Sequence, residues 1–173
     1  MEFLALSLAL AVIVLILAGT VRTGVPPMPT SPAVRACMFT LVEGLDPRCI
    51  HELGAGWGGL ATALARRFPN ARVIATEVSP LPWAVCRLRH VLFGPANLEV
   101  RFGDVMKSDF SDADLAVCFL CPPAMAKLAG RLEGGLRPGA WVLSNAFALP
   151  GWTPVKEARV DDLHRSAVYL YRK

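Results

Sequence analysis

The sequence lacks the patterns by which most metal sites are recognised. Its five cysteines are scattered, and only Cys118 and Cys121 lie close together, as a single C-x-x-C. A zinc site would need a second pair, or histidines at ligand spacing, and neither is present, so we predict no bound metal. An odd number of cysteines without a disulfide framework also indicates free thiols in a reducing compartment.

A basic run with interleaved aromatic residues is also missing, although the chain has a formal net charge of +4 and a pI near 9.0. Nucleic-acid-binding surfaces usually show such a run, so we predict no nucleic-acid partner. The positive charge is better explained by a domain that lies near anionic lipid.

Charged residues are absent from residues 3–21, which read FLALSLALAVIVLILAGTV. At about 1.5 Å per residue, a helix of this length would cross the roughly 30 Å of hydrocarbon in a bilayer. A cleaved signal peptide is the alternative, but no lysine or arginine precedes the apolar run. We therefore predict a single transmembrane anchor over residues 1–22. Because Arg22, Arg35 and Arg48 follow it, the positive-inside rule places the remaining domain on the cytoplasmic side of a bacterial inner membrane, or on the equivalent side of an organelle membrane.

The chain after the anchor divides into a short linker and one domain. Prolines recur in residues 23–31, and they predict an extended linker because they remove backbone donors and restrict the preceding residue. Residues 32–173 suffice for one domain with its own core. Ser31 and Pro32 have the character of a helix N-cap and first helical residue. Helices are predicted over residues 32–44, 59–68, 81–93 and 124–136, and strands over residues 49–53, 72–78, 98–102, 114–120 and 140–147.

This alternation of strands and helices predicts an α/β, Rossmann-like fold, with a mostly parallel sheet covered by helices on both faces. Two further segments with strand character, residues 157–160 and 166–171, follow no helix. They fit an antiparallel strand pair at one edge of the sheet.

The glycine-rich stretch Gly54-Ala-Gly56-Trp-Gly58-Gly59 follows the first predicted strand. In a parallel sheet this is where backbone can approach a ligand and where a helix N-terminus offers donors. The stretch also satisfies the dinucleotide fingerprint G-x-G-x-x-G, and Glu77 lies at the distance expected for a ribose-binding acid. The glycines alone therefore leave both a dinucleotide and another ligand open.

Three other features favour a cationic ligand over a dinucleotide. Glu52 stands two residues before the first glycine, where an anion would repel a pyrophosphate but attract a ligand that carries an ammonium and a sulfonium. Gly103 and Asp104 end the third strand, where a carboxylate can accept a hydrogen bond from the amine of adenine. The C-terminal strand pair is not required by a minimal nicotinamide-binding domain.

Together these motifs resemble those of class I S-adenosylmethionine-dependent methyltransferases. The resemblance covers residues 32–173, and it rests on Glu52-x-Gly54-x-Gly56-x-Gly58, on Glu77 at the end of the second strand, on Gly103-Asp104 and on the AVCFLCPP segment. The anchor, the segments GVPPMPTSP and EVSPLPW and the FALPGWTP stretch further resemble the single-pass, membrane-anchored protein lysine methyltransferases, which have mitochondrial members and bacterial relatives. That resemblance implies methylation of a lysine in a membrane or membrane-associated protein. Methylation of a lipid or small hydrophobic molecule, and a non-catalytic cofactor-binding module, are the alternatives.

The resemblance also implies which residues form the site. The residues expected to bind S-adenosyl-L-methionine are Glu52, Gly54, Ala55, Gly56, Gly58, Glu77, Val78, Asp104 and Val105. Those expected around the substrate are Pro29, Thr30, Cys121, Pro122 and Trp152. Cys121 stands where many amine methyltransferases have Asn or Asp before two prolines, and cysteine is a weak acceptor, so we interpret it as a small apolar residue.

Three other residues are interpreted as having no role in the site. His51, on a buried strand, is predicted to be a hydrogen-bonded core group, not a base. Arg87 and Arg89 are interpreted as a solvated helix face. Trp152, in a loop bounded by proline and glycine, is the tryptophan most readily assigned to function.

Overall fold

The computed structural model describes residues 28–163 and 165–173, together with residues 3, 6, 7, 10, 14 and 19. Four helices and seven strands follow one another in these ranges. The helices are α1 (Pro32–Leu41), α2 (Gly59–Arg67), α3 (Pro80–Phe93) and α4 (Pro122–Gly135). The strands are β1 (Cys49–Leu53), β2 (Arg72–Glu77), β3 (Leu98–Phe102), β4 (Leu115–Cys118), β5 (Trp141–Asn145), β6 (Lys156–Arg159) and β7 (Ala167–Arg172).

The strands form one sheet in the order β3-β2-β1-β4-β5-β7-β6. The first five are parallel, whereas β7 runs antiparallel to β5 and β6 runs antiparallel to β7. The predicted Rossmann-like sheet and its antiparallel C-terminal pair are thus confirmed. Strand order reverses between β1 and β4, and such a switch point opens a crevice at the carboxyl ends of the strands.

Helix boundaries agree with the sequence prediction to within a few residues. Ser31 caps α1 by accepting a hydrogen bond from the Val34 N–H at 3.2 Å, and Pro32 occupies the first turn. The helix ends at Leu41, three residues before the predicted end at residue 44, because the chain turns through Gly44, whose φ is +84°. A positive φ of that size is natural only for glycine.

Apolar side chains cover both faces of the sheet. One core cluster joins Met38 of α1, Leu64 of α2 and Cys86 of α3 to the sheet. The cluster on the other face contains Met125 and Leu128 of α4. The sheet is therefore buried on both faces, as parallel sheets are, and its polar residues concentrate at the strand ends.

The predicted anchor over residues 1–22 falls almost entirely outside the described residues. The described residues within it are helical, and all except the partly buried Gly19 are exposed, among them Phe3, Leu10 and Val14. Among the described residues, no helix combines the length and the apolar character needed to cross a membrane.

Candidate cofactor and acceptor site

A cavity lies at the carboxyl ends of β1 and β2, next to the switch point of the sheet. Nine of the residues predicted from the sequence line it: Pro29, Thr30, Glu52, Gly54, Ala55, Gly56, Glu77, Val78 and Val105. These residues come from four separated parts of the chain, and the sheet brings them together.

The glycine loop is held against β2 by backbone hydrogen bonds. The N–H groups of Gly54 and Ala55 both donate to the Thr76 carbonyl at 3.0 Å. Gly54 has a φ of +93°, and a β-carbon on it would lie 2.8 Å from Leu120 Cδ2. Gly56 also has a positive φ, but a β-carbon there would meet nothing within 4 Å. The loop is thus tightly packed at Gly54 and open at Gly56.

Glu77 fixes the conformation of this loop from the end of β2. One carboxylate oxygen accepts from the Gly56 N–H at 2.8 Å, and the other accepts from the Ser79 N–H at 2.7 Å. The carboxylate is buried and retains further acceptor capacity on both oxygens. It can therefore hold the loop and still accept hydrogen bonds from ligand hydroxyls.

Glu52 is a buried carboxyl group with one oxygen unsatisfied. The residue is 3% exposed, and its Oε2 has no hydrogen-bond partner in the described part of the chain. Burial, and then the nearby Glu77 carboxylate, raise the pKa of Glu52 well above its usual value. A buried acid without a partner is costly unless a ligand supplies a donor or a positive charge. The cavity is therefore suited to a cation.

Arg89 and Trp57 also belong to this cavity, and the sequence analysis did not assign either to the site. Arg89 lies on α3, lines the cavity and donates to the Trp57 carbonyl at 3.1 Å. Arg89 is exposed, as predicted for a solvated face, but its contact with the cavity was not predicted. No spacing rule could have identified it, because the contact joins residues 32 positions apart.

The segment before α1 covers one side of the cavity. Pro29 and Thr30, expected around the substrate, line the cofactor cavity instead, and Asn145 at the end of β5 donates to Thr30 Oγ1 at 3.3 Å. The free volume beneath them is about 150 Å³. The segment therefore forms part of the cavity wall.

Two of the predicted cofactor residues do not line the cavity. Gly58, with φ +78°, packs against Cys86, so its role is to let the loop and α3 approach closely. Asp104 is half-buried, and its Oδ1 accepts from the Met106 N–H at 2.9 Å, which fixes the turn after β3. That turn places the neighbouring Val105 in the cavity wall.

A second cavity of about 580 Å³ adjoins the first and shares Met28, Phe119 and Leu120 with it. The rings of Phe119 and Phe147 stack with centroids 6.4 Å apart, and both line this cavity. The β6–β7 hairpin contributes two arginines, Arg159 and Arg165, and the ring of Tyr169. None of these residues was predicted from the sequence to line a site. Only the strand character of the hairpin was predicted.

Of the residues expected around the substrate, Cys121 alone lines this second cavity. Pro122 is the first residue of α4 and lines neither cavity. Trp152 also lies outside both, and it packs edge-on against Tyr171 with Lys173 above its ring. Trp152 is partly buried and packs against the core cluster on the α4 side of the sheet, and its assignment to function stays a prediction.

Backbone strain is concentrated at the second cavity. Within the described ranges, the non-glycine residues with positive φ are Ala146, at 65°, and Arg165, at 46°, and both line it. Such conformations cost on the order of 1–3 kcal/mol and tend to occur at functional sites.

A cluster of Cys49, His51 and Asp112 lies at the opposite end of β1. His51 Nε2 is 2.8 Å from one Asp112 oxygen, and Cys49 Sγ donates to the other at 3.4 Å. These three residues are spaced closely enough to hold a metal ion, which the sequence did not indicate. Burial and the adjacent Asp112 raise the pKa of Cys49 to about 11, which keeps the thiol protonated. His51 is thus a hydrogen-bonded core residue, as predicted.

Comparisons with known proteins identify the family. The sequence pattern of the ANTKMT methyltransferase domain matches residues 52–156, more than half of the chain and all of the cofactor-binding region from Glu52 onwards. The chain belongs to this methyltransferase family. It is a class I, S-adenosylmethionine-dependent methyltransferase domain.

Individual relatives agree with this assignment. A protein-lysine N-methyltransferase of Saccharolobus islandicus is 27% identical, over 85% of this chain and 92% of its own length. A trans-aconitate 2-methyltransferase of Mycolicibacterium gilvum is 32% identical over 66% of this chain, which spans 42% of that relative. The solved RNA methyltransferase of Salinibacter ruber, bound to S-adenosyl-L-homocysteine, is 29% identical with a TM-score of 0.74, over 84% of this chain and 93% of that one.

The residues of the first cavity fit S-adenosylmethionine better than a dinucleotide. Two buried carboxyl groups, Glu52 and Glu77, face this space. Glu77 can accept hydrogen bonds from ribose hydroxyls in either ligand, but Glu52 would repel a pyrophosphate, whereas the ammonium of the methyltransferase cofactor can donate to the unsatisfied Glu52 oxygen. The open space beside Gly56 allows the close backbone approach that such a ligand needs.

Proposed function

We propose that this methyltransferase N-methylates a lysine side chain of a membrane or membrane-associated protein, and that residues 1–22 anchor it to the membrane. A relative similar over nearly its whole length is a protein-lysine N-methyltransferase, which supports the acceptor class. The uncharged run of residues 3–21 supports the anchor.

The observation that carries the proposal is the second cavity beside the cofactor cavity. It adjoins the cofactor end of β4 through Phe119 and Leu120, so an acceptor inserted there would meet the methyl group that S-adenosylmethionine supplies on its sulfonium. The stacked rings of Phe119 and Phe147 provide apolar walls for the methylene stem of a lysine.

The charges around this cavity favour a neutral amine. A lysine ammonium, with an ordinary pKa of about 10.4, has no lone pair for attack. Within the described residues the lining contains two arginines and no carboxylate. Like charges and desolvation lower the pKa of a bound ammonium, so the acceptor would lose its proton to water before transfer. Arg159 also pairs with Glu157 at 3.2 Å. Both side chains are exposed, so this ion pair only weakly offsets the positive charge at the cavity.

Radiolabelled cofactor tests the acceptor class. The full-length protein is incubated with methyl-labelled S-adenosylmethionine and with membranes from cells that lack it, and the label is followed into protein, lipid extract and RNA. We expect a labelled protein band whose acid hydrolysate contains methyl-lysine. A parallel incubation with Glu52→Gln protein should show greatly reduced labelling, because that variant lacks the proposed cofactor carboxylate.

The other outcomes each contradict the lysine proposal. Label only in the organic phase would assign a lipid acceptor, and label only in RNA would assign a nucleic-acid acceptor. Cofactor binding without label in any fraction would indicate a non-catalytic binding module.

The arginines of the second cavity should set the pH dependence of methylation. Replacing Arg165 by glutamine removes a positive charge beside the acceptor amine, so the amine pKa rises and the pH at half-maximal rate should move upward by up to about one unit. Arg165→Lys retains the charge and serves as the matched control, with a profile close to that of the wild type. Initial rates with a saturating lysine peptide between pH 6 and about 10 provide the measurement. An unchanged profile for Arg165→Gln would show that this charge does not act on the acceptor.

A further inference from the structure

Helix α3 directs an apolar stripe away from the core. Ala84, Leu88, Val91 and Leu92 follow the i, i+4, i+7, i+8 spacing of one helix face, and all four are exposed. Leu88, Val91 and Leu92 are 58%, 65% and 58% exposed. Pro82 and Cys86 form the opposite, buried side of the helix. A solvent-facing helix surface is normally polar, so this stripe indicates a surface that is covered by something else.

Two exposed aromatic residues lie near the stripe. Phe93 at the end of α3 is 76% exposed, and Phe102 at the end of the edge strand β3 is 57% exposed. Phe102 contacts Trp83, in the first turn of α3, with ring centroids 5.3 Å apart. We call Leu88, Val91, Leu92 and Phe93 the α3 surface.

The charged side chains of α3 itself are all basic. Arg87 and Arg89 flank the stripe on either side, and the sequence contains no aspartate or glutamate between Glu77 and Glu99. An apolar helix face with arginines at its margins is the pattern of a helix that lies in a membrane interface, where the apolar residues enter the acyl boundary and the guanidinium groups reach the phosphates.

Gly19, a described residue of the apolar N-terminal run, lies beside the start of α3. A β-carbon placed on it would lie 3.8 Å from Ser79 Oγ, and Ser79 is the residue that precedes α3. One residue of the run with the strongest membrane character is therefore next to the first turn of the helix that carries the stripe.

We propose that the α3 surface lies on an anionic phospholipid bilayer, with Arg87 and Arg89 among the headgroups. A second copy of the chain fits less well, because an isologous contact through this face would place arginines of one copy against those of the other. Arg89 also lines the cofactor cavity. This orientation would therefore bring the site close to lysines at the bilayer surface.

Site-specific photo-crosslinking of the full-length protein tests this orientation. A benzophenone amino acid replaces Leu92 in one preparation and Ala126 in another, and each is reconstituted in vesicles of phosphatidylcholine and phosphatidylglycerol. Ala126 is an exposed apolar residue on α4, which packs on the other face of the sheet, so it is a matched control. We expect several-fold more lipid adduct at position 92 than at position 126. Adding Arg87→Glu should reduce the adduct at 92, as should replacing phosphatidylglycerol by phosphatidylcholine.

Three results would overturn the proposal. These are equal lipid adducts at the two positions, no lipid adduct at position 92, and adducts at 92 that join two protein chains. The readout is lipid contact and requires no methyl transfer, so its failure is distinguishable from failure of the lysine assignment.

Discussion

Replacing Gly58 by alanine should lower the free energy of unfolding by about 3 kcal/mol. The backbone at Gly58 has a φ of +78°, which alanine adopts only at a cost. The added methyl group would also lie 2.4 Å from Cys86 Sγ and 3.4 Å from the Cys86 Cα, so α3 itself would have to shift. Urea unfolding followed by circular dichroism measures the change, and a loss well under 1 kcal/mol would show that the contact relaxes freely.

Gly56→Ala is the matched comparison within the same loop. Gly56 also has a positive φ, but its new methyl group would meet no protein atom within 4 Å. Its cost in stability should therefore be about 1 kcal/mol, from backbone conformation alone. Because Gly56 lines the cofactor cavity, this variant should lose cofactor affinity out of proportion to its stability. Gly58→Ala should instead lose stability out of proportion to its loss of cofactor affinity.

Cys86→Ala separates the two parts of the Gly58 effect. It removes the sulfur that the Gly58→Ala methyl group would meet, while the Cys86 β-carbon at 3.2 Å remains. The double variant should thus be more stable than the sum of the single changes predicts, because the clash is shared between them. If the stability losses of the two single variants instead add up to that of the double variant, the whole loss in Gly58→Ala comes from backbone conformation.

The parts of the fold that could be predicted are those with a local cause. Alternating apolar runs and turn residues located the seven strands and four helices of residues 28–173 that the structure describes. This was possible because strands and amphipathic helices each have a characteristic spacing of apolar residues. Helix ends were less exact. The end of α1 depends on Gly44, and the sequence does not show whether the helix stops before or at that glycine.

Most residues of the first cavity could be predicted because they follow strand ends, which the sequence locates. Glu52 and Glu77 follow directly from the positions of β1 and β2. Arg89 is exposed as predicted, but its contact with Trp57 could not be predicted, since it depends on how α3 packs over the glycine loop. The second cavity was missed for a similar reason, since its walls come from β4, β5 and the hairpin. Trp152 was assigned to function from its loop, and it lies outside both cavities with its ring against Tyr171, so that assignment stays a prediction.

Replacing Glu52 by glutamine should weaken binding of S-adenosylmethionine by about 10- to 100-fold, the cost of removing a charge-assisted hydrogen bond. The same variant should be more stable than the wild type without ligand at neutral pH, because glutamine removes an ionisable group whose charged form is disfavoured in the folded protein by burial and by Glu77. Isothermal titration calorimetry and thermal unfolding measure the two effects. Glu43→Gln, at an exposed position, is the control and should change neither.

The pH dependence of these effects follows from the raised pKa of Glu52, which burial causes first and the Glu77 carboxylate second. A carboxyl group with a raised pKa in the folded state stabilises the fold below its unfolded pKa, and this contribution is lost as the pH rises through the folded pKa. The stability advantage of Glu52→Gln should therefore grow as the pH is raised through the folded pKa. A bound cation requires the ionised form, so wild-type binding should release protons and tighten with increasing pH, whereas binding by Glu52→Gln should lack this component. Calorimetry in buffers of different ionisation enthalpy detects the released protons, and equal proton release by both proteins would exclude Glu52 as the group that meets the cofactor.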